Sequence, residues 1–241
     1  MPLVNVSDTT IYYETFGNGK PLVIIPGWGT EITTILPLIE KFALDYRVIA
    51  VDNRGTGRSG KPDSPYSIEQ MADDLVAVLD ALEIPKAHIL GLSMGGMIAQ
   101  MAAAKYPGRV DRLILHVSFT RIPFLVKTLM NMMRYLPGAK KKMKEGMAVI
   151  LGQKYPPTEE SFRRQGEAVA SFDARTILSQ IRAPTLIVNA SHDPFVPKKI
   201  TRELTEGIPG ARLVLLDGDH RVARNHPDDF MKPVLAFLEE N

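Results

Sequence analysis

A serine between two glycines on a tight turn is the first feature of the sequence that can carry chemistry. Residues 91–95 read Gly-Leu-Ser-Met-Gly, after the β-rich run 88–90 and before a segment at 94–106 that is rich in Ala and Met. A G-x-S-x-G motif between a strand and a helix holds its serine on a strained turn, with the hydroxyl exposed at the carboxyl end of a sheet. The two glycines remove β-carbons that would collide there. The motif therefore predicts that Ser93 is a nucleophile.

A serine hydroxyl is a weak nucleophile and needs a general base. His220 stands just after the last predicted strand, at the carboxyl edge of the sheet where Ser93 is also expected. His192 is the alternative base, but it adjoins the candidate acid. The remaining histidines are interpreted as structural, in sheet segments or ahead of a helix: His88, His116 and His226.

A third group must orient the imidazole and stabilise its cation. Asp193 follows the predicted strand at 185–189, again at a carboxyl edge, in a proline-containing loop before a helix. Asp217 and Asp219 are alternatives, although turn or capping roles suit residues so close in sequence to His220. We therefore predict Ser93, Asp193 and His220 as the catalytic residues, in that order along the chain.

An oxyanion hole requires two main-chain N–H donors. The residue after the nucleophile supplies one, which is Met94. The loop Pro-Gly-Trp-Gly at residues 26–29 follows the third predicted strand, and its glycines allow close approach of the backbone. We assign the second donor to Trp28 and expect its indole to line the acyl pocket, with ordinary packing as the alternative.

Alternating elements predict how these residues are positioned. Six β-rich runs have strand character, at 22–25, 48–51, 89–90, 113–115, 186–188 and 213–216, after an opening strand pair at 3–8 and 10–16. Continuous apolar runs indicate strands buried on both faces, as in parallel sheets. Helices are predicted between them, at 67–82 behind a capping box at Ser67, and at 94–106, 198–205 and 227–240. We predict an α/β fold with a doubly wound, mostly parallel sheet.

Residues 121–178 interrupt the alternation, since they contain no convincing strand. We interpret them as a helical insertion before the last two strands, with a core made of residues 1–120 and 179–241. Its apolar side chains favour an adaptable apolar pocket; together with Trp28, the predicted substrate-binding residues are Ile122, Phe124, Leu125, Leu129, Met132 and Met133. Its lysines are interpreted as a solvated helix face, with attraction of an acidic substrate or membrane surface as the alternative: Lys140, Lys141, Lys142 and Lys144.

The composition excludes several classes of function. The 241 residues carry a net charge of +2 and no cysteine, which argues against a nucleic-acid binder driven by bulk charge, a thiolate nucleophile and a cysteine-ligated zinc site. No apolar stretch approaches the roughly 20 residues of a membrane span, and no signal peptide is visible. We expect a cytoplasmic protein that acts on a small molecule.

A second glycine motif, at residues 55–60, fits the G-x-G-x-x-G pattern of dinucleotide sites. Such a site requires that the motif open a helix, whereas the next predicted helix waits until Ser67. We interpret these glycines instead as a turn network in which Asp52 and Arg54 pair.

With these motifs together, the chain resembles the α/β-hydrolase superfamily over nearly its full length. The matching segments are residues 26–29, 52–59 and 91–96, and the matching single positions are Asp193, Pro197, His220 and Pro227. Within the superfamily the chain is similar to small carboxylesterases, enol-lactonases and cofactor-free perhydrolases. The order serine, acid, histidine is that of this fold. The resemblance implies that residues 121–178 are a helical cap over the active site.

Three positions qualify the resemblance. Many relatives have His at the position of Pro26, and this difference affects the geometry of the second oxyanion donor. Many also have Glu at the position of Asn225, a position that we interpret as structural. Dehalogenases and epoxide hydrolases of the superfamily carry Asp at the nucleophile, so Ser93 argues against both.

The sequence thus predicts a carboxylesterase-like serine hydrolase that acts on esters or lactones through an acyl-enzyme, without metal or organic cofactor. Perhydrolase or haloperoxidase, C–C bond hydrolase and thioesterase activities use the same three residues and stay open as alternatives. A ligand-binding module without useful turnover is the non-enzyme alternative, and the complete set of catalytic residue types argues against it.

Overall fold

One eight-stranded sheet forms the centre of the computed structural model, which describes residues 2–123, 127–128, 142, 145–146 and 152–240. The strands are β1 (Leu3–Asn5), β2 (Thr10–Phe16), β3 (Lys20–Ile25), β4 (Tyr46–Val51), β5 (Ala87–Leu92), β6 (Val110–His116), β7 (Thr185–Ala190) and β8 (Arg212–Leu216). Their order is β1-β2-β4-β3-β5-β6-β7-β8. β2 runs antiparallel to β1 and β4, and all other neighbours are parallel. The predicted mostly parallel α/β fold is confirmed.

Helices connect the strands. Within the described residues they are α1 (Leu36–Phe42), α2 (Ile68–Ala81), α3 (Met94–Lys105), α4 (Glu159–Ser171), α5 (Lys198–Gly207), α6 (Val222–Asn225) and α7 (Pro227–Leu238). The Ser67 side chain accepts a hydrogen bond from the Gln70 N–H at 3.0 Å, so it caps α2 as predicted. α1 and α6 were not predicted, because seven and four residues are too short to display an apolar period.

The core lies on both faces of the central strands. In β3, Val23 and Ile25 pack with α2 and α3 on one face, whereas Leu22 and Ile24 pack with α1 and α7 on the other. All four are fully buried. Because successive strand residues point to opposite faces, an unbroken apolar run marks a strand covered on both sides.

The last strand departs from that rule. β8 ends the sheet, and Leu213 and Leu215 are 39% and 57% exposed. The expectation that run 213–216 is buried on both faces is therefore wrong. An apolar pattern shows which residues tolerate burial, but it does not show whether the strand will lie at the edge of the sheet. The first strand is also shorter than predicted and ends at Asn5.

In the predicted insertion at 121–178, the described residues include α4 and one isolated β-bridge between Arg121 and Asp173, and a 3₁₀ turn, Leu178–Gln180, begins at its last residue. Five of the predicted pocket residues lie outside the described residues: Phe124, Leu125, Leu129, Met132 and Met133. Of the four lysines, only Lys142 is described, and it is exposed. The division into core and cap stays a prediction.

The carboxyl ends of the parallel strands lie along one edge of the sheet. β3, β5, β7 and β8 all end there, and the segments that follow them contain the predicted catalytic and oxyanion residues: Trp28, Ser93, Asp193 and His220. In open α/β sheets this edge is where ligands bind. No helix in the described part of the chain is long and apolar enough to cross a membrane.

Candidate active site

Ser93 sits on a strained turn between β5 and α3. Its backbone angles are φ 53° and ψ −112°, a region that non-glycine residues rarely adopt. A β-carbon on Gly95 would lie 2.1 Å from the carbonyl oxygen of Ile25, and one on Gly91 would lie 2.4 Å from that of Gly95. The two glycines of the motif are therefore required by close approach of the backbone, as the sequence predicts.

The three predicted catalytic side chains meet. Nε2 of His220 lies 3.2 Å from Oγ of Ser93, and Nδ1 of His220 lies 2.7 Å from Oδ2 of Asp193. When Nδ1 carries the proton, it donates to the carboxylate and leaves Nε2 free to accept the serine proton. The arrangement therefore has the geometry of a nucleophile, a base and an orienting acid. The catalytic roles themselves stay predictions.

Asp193 is held from two sides. Its Oδ1 accepts the main-chain N–H groups of Phe195 at 2.8 Å and Val196 at 3.2 Å, while Oδ2 faces His220. Burial raises the pKa of this carboxyl, but the hydrogen bond and charge of His220 together with the two N–H donors hold the pKa below its usual value. The carboxylate is thus fixed in its charged form, oriented towards the imidazole.

The alternative acids make other contacts. Asp219 accepts the Arg221 N–H at 2.8 Å, and Asp217 accepts the Ser191 hydroxyl at 3.1 Å. His192, the alternative base, is exposed and lies 2.9 Å from the same hydroxyl. Asp219 thus has the local turn contact predicted for it, whereas Asp217 contacts Ser191 and His192 of the loop after β7.

The other histidines occupy structural settings. His88 and His116 are buried in β5 and β6, and His226 precedes the first residue of α7. Nδ1 of His116 contacts the Val188 carbonyl at 2.9 Å, and full burial lowers the pKa of this imidazole to about 4. None of the three contacts Ser93 with its ring.

The predicted oxyanion donors lie beside Ser93. A β-carbon on Gly27 would be 3.5 Å from the Ser93 β-carbon, so the loop that contains Trp28 runs directly past the nucleophile. Met94 begins α3, where main-chain N–H groups lack helical partners. Among the described residues, neither the Trp28 N–H nor the Met94 N–H has a hydrogen-bond acceptor. Their assignment to an oxyanion hole stays a prediction.

The Trp28 indole packs against the insertion. It stacks on Phe162 of α4 with ring centroids 4.6 Å apart, and its Nε1 donates to the Phe162 carbonyl at 2.9 Å. Ile122, the one described pocket candidate besides Trp28, is buried. Phe162 was not predicted, because no local sequence pattern shows which core residue α4 contacts.

A polar pair supports the turn from behind. The Ser118 hydroxyl donates to the Ser93 carbonyl at 3.0 Å, and Nε2 of Gln100 lies 3.2 Å from that hydroxyl. Gln100 is fully buried in α3, and Ser118 follows Val117, whose φ is 43°. No motif marks these residues, although a glutamine on the buried side of a helix was a signal for a polar contact.

The glycine-rich turn after β4 is organised differently from the prediction. Asp52 accepts the main-chain N–H groups of Ile32 at 2.9 Å and Arg58 at 2.8 Å; it does not pair with Arg54. Burial raises the pKa of Asp52 to about 6, despite these two hydrogen bonds. A β-carbon on Gly57 would lie 2.0 Å from the Asp52 carboxylate, which explains that glycine.

Arg54 pairs with carboxylates of other segments. It is fully buried and donates through Nε and Nη2 to the Asp74 carboxylate of α2, at 2.6 and 2.7 Å. Nη1 also contacts Asp8 at 3.0 Å. The expected pairing of Asp52 with Arg54 is therefore wrong, because α2 supplies an acid that sequence proximity did not reveal.

Comparison with known proteins places the chain in a family. The family model described as "alpha/beta hydrolase fold" matches residues 20–148, more than half of the chain. The chain belongs to the α/β-hydrolase family. A protein of Azorhizobium caulinodans named as a carbamate hydrolase (RutD) is 32% identical to this α/β hydrolase, with 100% of this chain and 99% of the relative covered.

Two further relatives of this α/β hydrolase are lactonases. The 3-oxoadipate enol-lactonase 2 of Acinetobacter baylyi is 27% identical, with 98% of this chain and 96% of the relative covered. The crystal structure of the enol-lactonase from Burkholderia xenovorans superposes with a TM-score of 0.85 at 29% identity, covering 99% of this chain and 100% of that one. The predicted resemblance to the esterase and enol-lactonase branch is confirmed, and hydrolase activity is the shared activity of these names.

Among the described residues of the α/β hydrolase, no group of three or more His, Asp or Glu side chains is arranged to hold a metal ion. The polar groups at the carboxyl edge of the sheet are instead paired with one another, as in the contact of Asp193 with His220. The residues at this edge are suited to proton transfer and to stabilising a negative oxygen.

Proposed function

We propose that this α/β hydrolase is a serine hydrolase that cleaves carboxylic esters or lactones through an acyl-enzyme. The contact of Ser93 with His220, together with that of His220 with Asp193, carries the proposal. A serine beside an imidazole that a buried carboxylate orients is the arrangement that activates a hydroxyl for attack on a carbonyl.

In the acylation step, Oγ of Ser93 attacks the substrate carbonyl carbon while Nε2 of His220 takes the hydroxyl proton. The carbonyl oxygen becomes negatively charged, and the N–H groups of Trp28 and Met94 donate to it. When the carbon–oxygen bond to the alcohol breaks, the imidazolium returns the proton to the leaving oxygen. Asp193 stabilises the imidazolium between these events.

In the deacylation step, a water molecule loses its proton to Nε2 of His220 and attacks the acyl carbon. Collapse of the second tetrahedral intermediate breaks the bond to Oγ of Ser93, and the imidazolium returns the proton to that oxygen. The carboxylic acid leaves, and the residues regain their starting protonation. In a lactone, the alcohol and the acid belong to the same product molecule.

The described candidates for the substrate pocket are apolar, which favours a substrate with an apolar acyl group. The Trp28 indole, Phe162 and the buried Ile122 are the described aromatic and aliphatic candidates for the pocket, and residues 121–178 are proposed as its cap. Apolar walls with a few convergent polar groups are typical of small-molecule sites.

A carbamate is the second candidate substrate, favoured by the 32% identical relative named as a carbamate hydrolase. A carbamate presents the same carbonyl carbon to Ser93, with nitrogen on one side. The proton transfer by His220 to the leaving atom is the same as for an ester.

A panel of p-nitrophenyl esters of increasing acyl length, a lactone and a carbamate tests the proposal, each assayed with and without peroxide. We expect ester or lactone turnover, and a loss of about 10³-fold or more in kcat for Ser93→Ala. Ser191→Ala is the matched control, since its hydroxyl lies on the same edge but contacts His192 and Asp217. Near-normal turnover by Ser93→Ala would refute the proposal, and turnover only with peroxide would assign perhydrolysis instead.

A further inference from the structure

The loop that carries Trp28 is held by the insertion as well as by the sheet. The N–H of Gly29 donates to Oε1 of Gln165 at 3.0 Å, and Nε2 of Gln153 donates to the Gly29 carbonyl. Nε1 of Trp28 donates to the Phe162 carbonyl at 2.9 Å. Both main-chain polar groups of Gly29 and the indole N–H therefore have their partners in the insertion.

Gln165 is itself fixed at both ends of its amide. The residue is 0% exposed, and its Nε2 donates to the Arg54 carbonyl at 2.7 Å. Arg54 is anchored in turn by its two hydrogen bonds to Asp74. The side-chain amide accepts from one main chain through its oxygen and donates to another through its nitrogen, which neither an ionised carboxylate nor an apolar side chain can do. The side chain thus bridges the Gly29 peptide to a rigid part of the core.

Aromatic contact brings the backbone of α4 close to the same loop. The indole of Trp28 lies parallel to the Phe162 ring, with an interplanar angle of 17°. A β-carbon on Gly166 would lie 2.5 Å from Cζ2 of the indole, so the helix backbone touches the ring there. The seating of α4 and the position of Trp28 are therefore coupled.

The peptides on both sides of Trp28 are held by hydrogen bonds, and its own N–H belongs to the Gly27–Trp28 peptide. The carbonyl of Gly27 accepts from the N–H of Thr30 at 3.2 Å and from its hydroxyl at 2.8 Å. Because a trans peptide directs its N–H opposite to its carbonyl, these bonds turn the Trp28 N–H away from Thr30. The bond from the Gly29 N–H to Gln165 fixes the peptide on the other side.

We propose that Gln165 is a positioning residue of the oxyanion hole, a role that rests on the function proposed above. By holding the Trp28–Gly29 peptide, Gln165 limits rotation of the Trp28 backbone, and together with the Thr30 bonds to the Gly27 carbonyl it fixes the direction in which the Trp28 N–H donates to the negative oxygen. The insertion then contributes to the chemical step itself and not only to enclosing the substrate. Since the developing charge exists only in the transition state, loss of this alignment lowers kcat and leaves KM nearly unchanged.

The test measures kcat and KM of Gln165→Leu with a p-nitrophenyl ester that the wild type cleaves. Removal of one oxyanion donor costs about 10²–10³ in kcat, so a misdirected donor predicts a loss of about 10- to 100-fold, with KM within about threefold. Gln180→Leu is the matched control, because Gln180 is exposed and its side-chain amide donates to the nearby Thr176 carbonyl. We expect this control to retain wild-type kcat.

Gly166→Ala provides a second test that leaves Gln165 in place. Alanine stabilises a helix relative to glycine, so α4 is expected to form, but its methyl group displaces the Trp28 ring. We expect kcat to fall again with little change in KM. Circular dichroism establishes that each variant is folded, and Gln165→Met, which fills a similar space without either hydrogen bond, replaces Gln165→Leu if that variant does not fold.

Two outcomes overturn the inference in distinguishable ways. If the wild type cleaves the ester and the folded variants keep kcat within twofold, or change only KM, the positioning role is wrong while the proposed function stands. If the wild type cleaves no ester, lactone or carbamate, the proposed function fails, and the role of Gln165 fails with it.

Discussion

Replacement of Asp193 by asparagine tests how the imidazole is oriented, with almost no change in side-chain shape. In the wild type, Oδ1 accepts two main-chain N–H groups, from Phe195 and Val196, and Oδ2 accepts Nδ1–H of His220. In Asp193→Asn the amide oxygen stays with the two N–H donors, and the amide nitrogen faces His220. The imidazole must then accept at Nδ1 and carry its proton on Nε2, where it cannot take the proton of Ser93.

The size of the effect follows from these contacts. A reversed amide would leave the Phe195 and Val196 N–H groups without acceptors, at a cost of about 1–3 kcal/mol each. The unproductive orientation is therefore preferred. In serine proteases the same substitution lowers kcat by about 10⁴-fold, which corresponds to about 5.5 kcal/mol in the barrier. We expect a loss of that order for Asp193→Asn, because the side chain of Asp193 is only 1% exposed and water cannot easily replace the contact.

Steady-state kinetics of ester cleavage by wild type and Asp193→Asn measure this loss. KM should change little, since Asp193 lies behind the imidazole from Ser93 and does not face the substrate carbonyl. Asp219→Asn is the matched control, because Asp219 neighbours His220 but hydrogen-bonds to Arg221. A loss of less than 10-fold in Asp193→Asn would show that this carboxylate does not set the tautomer.

Three further predictions concern stability. Arg54→Met should lower the free energy of unfolding in urea by about 3–5 kcal/mol, because it leaves the buried Asp74 carboxylate without its partner. The double variant Arg54→Met, Asp74→Leu should recover part of this free energy, and additive losses would contradict the prediction. Gly95→Ala should lower both stability and activity, since its β-carbon meets a main-chain oxygen at 2.1 Å, whereas Gly108→Ala, with open space around it, should do neither. His116 stays neutral in the folded state but protonates in the unfolded chain, so the free energy of unfolding falls as the pH drops from about 6.5 towards 4. Relative to His116→Gln, the wild type should lose about 2 kcal/mol of this free energy between pH 7 and pH 5. Equal pH slopes for the two proteins would contradict the effect of burial.

The sequence predicts the parts of this protein that local constraints determine. The turn at Ser93 needs glycines because the backbone passes within 2.1 Å of where a β-carbon would stand, and that requirement is visible as a motif. Buried parallel strands appear as apolar runs, and Asp193 and His220 follow two of them. Because the carboxyl ends of parallel strands lie at the same edge of the sheet, residues that directly follow such strands are predicted to lie close together.

Contacts between distant segments could not be predicted in the same way. Gln165 reaches Gly29 across 136 positions, and the partner of Arg54 is Asp74 of α2 rather than the nearer Asp52. Each depends on how one helix sits on the sheet, which no local pattern records. The exposure of β8 likewise depends on strand order.

Covalent labelling of the intact protein with a fluorophosphonate tests most directly whether Ser93 is an activated nucleophile. We expect one phosphonyl group per chain, mapped by mass spectrometry to the Ser93 hydroxyl, and loss of ester turnover in proportion to labelling. Asp193→Asn should be labelled far more slowly, because its imidazole cannot take the serine proton. If the protein cleaves esters yet acquires no label at Ser93, or acquires it on another side chain, Ser93 is not the nucleophile.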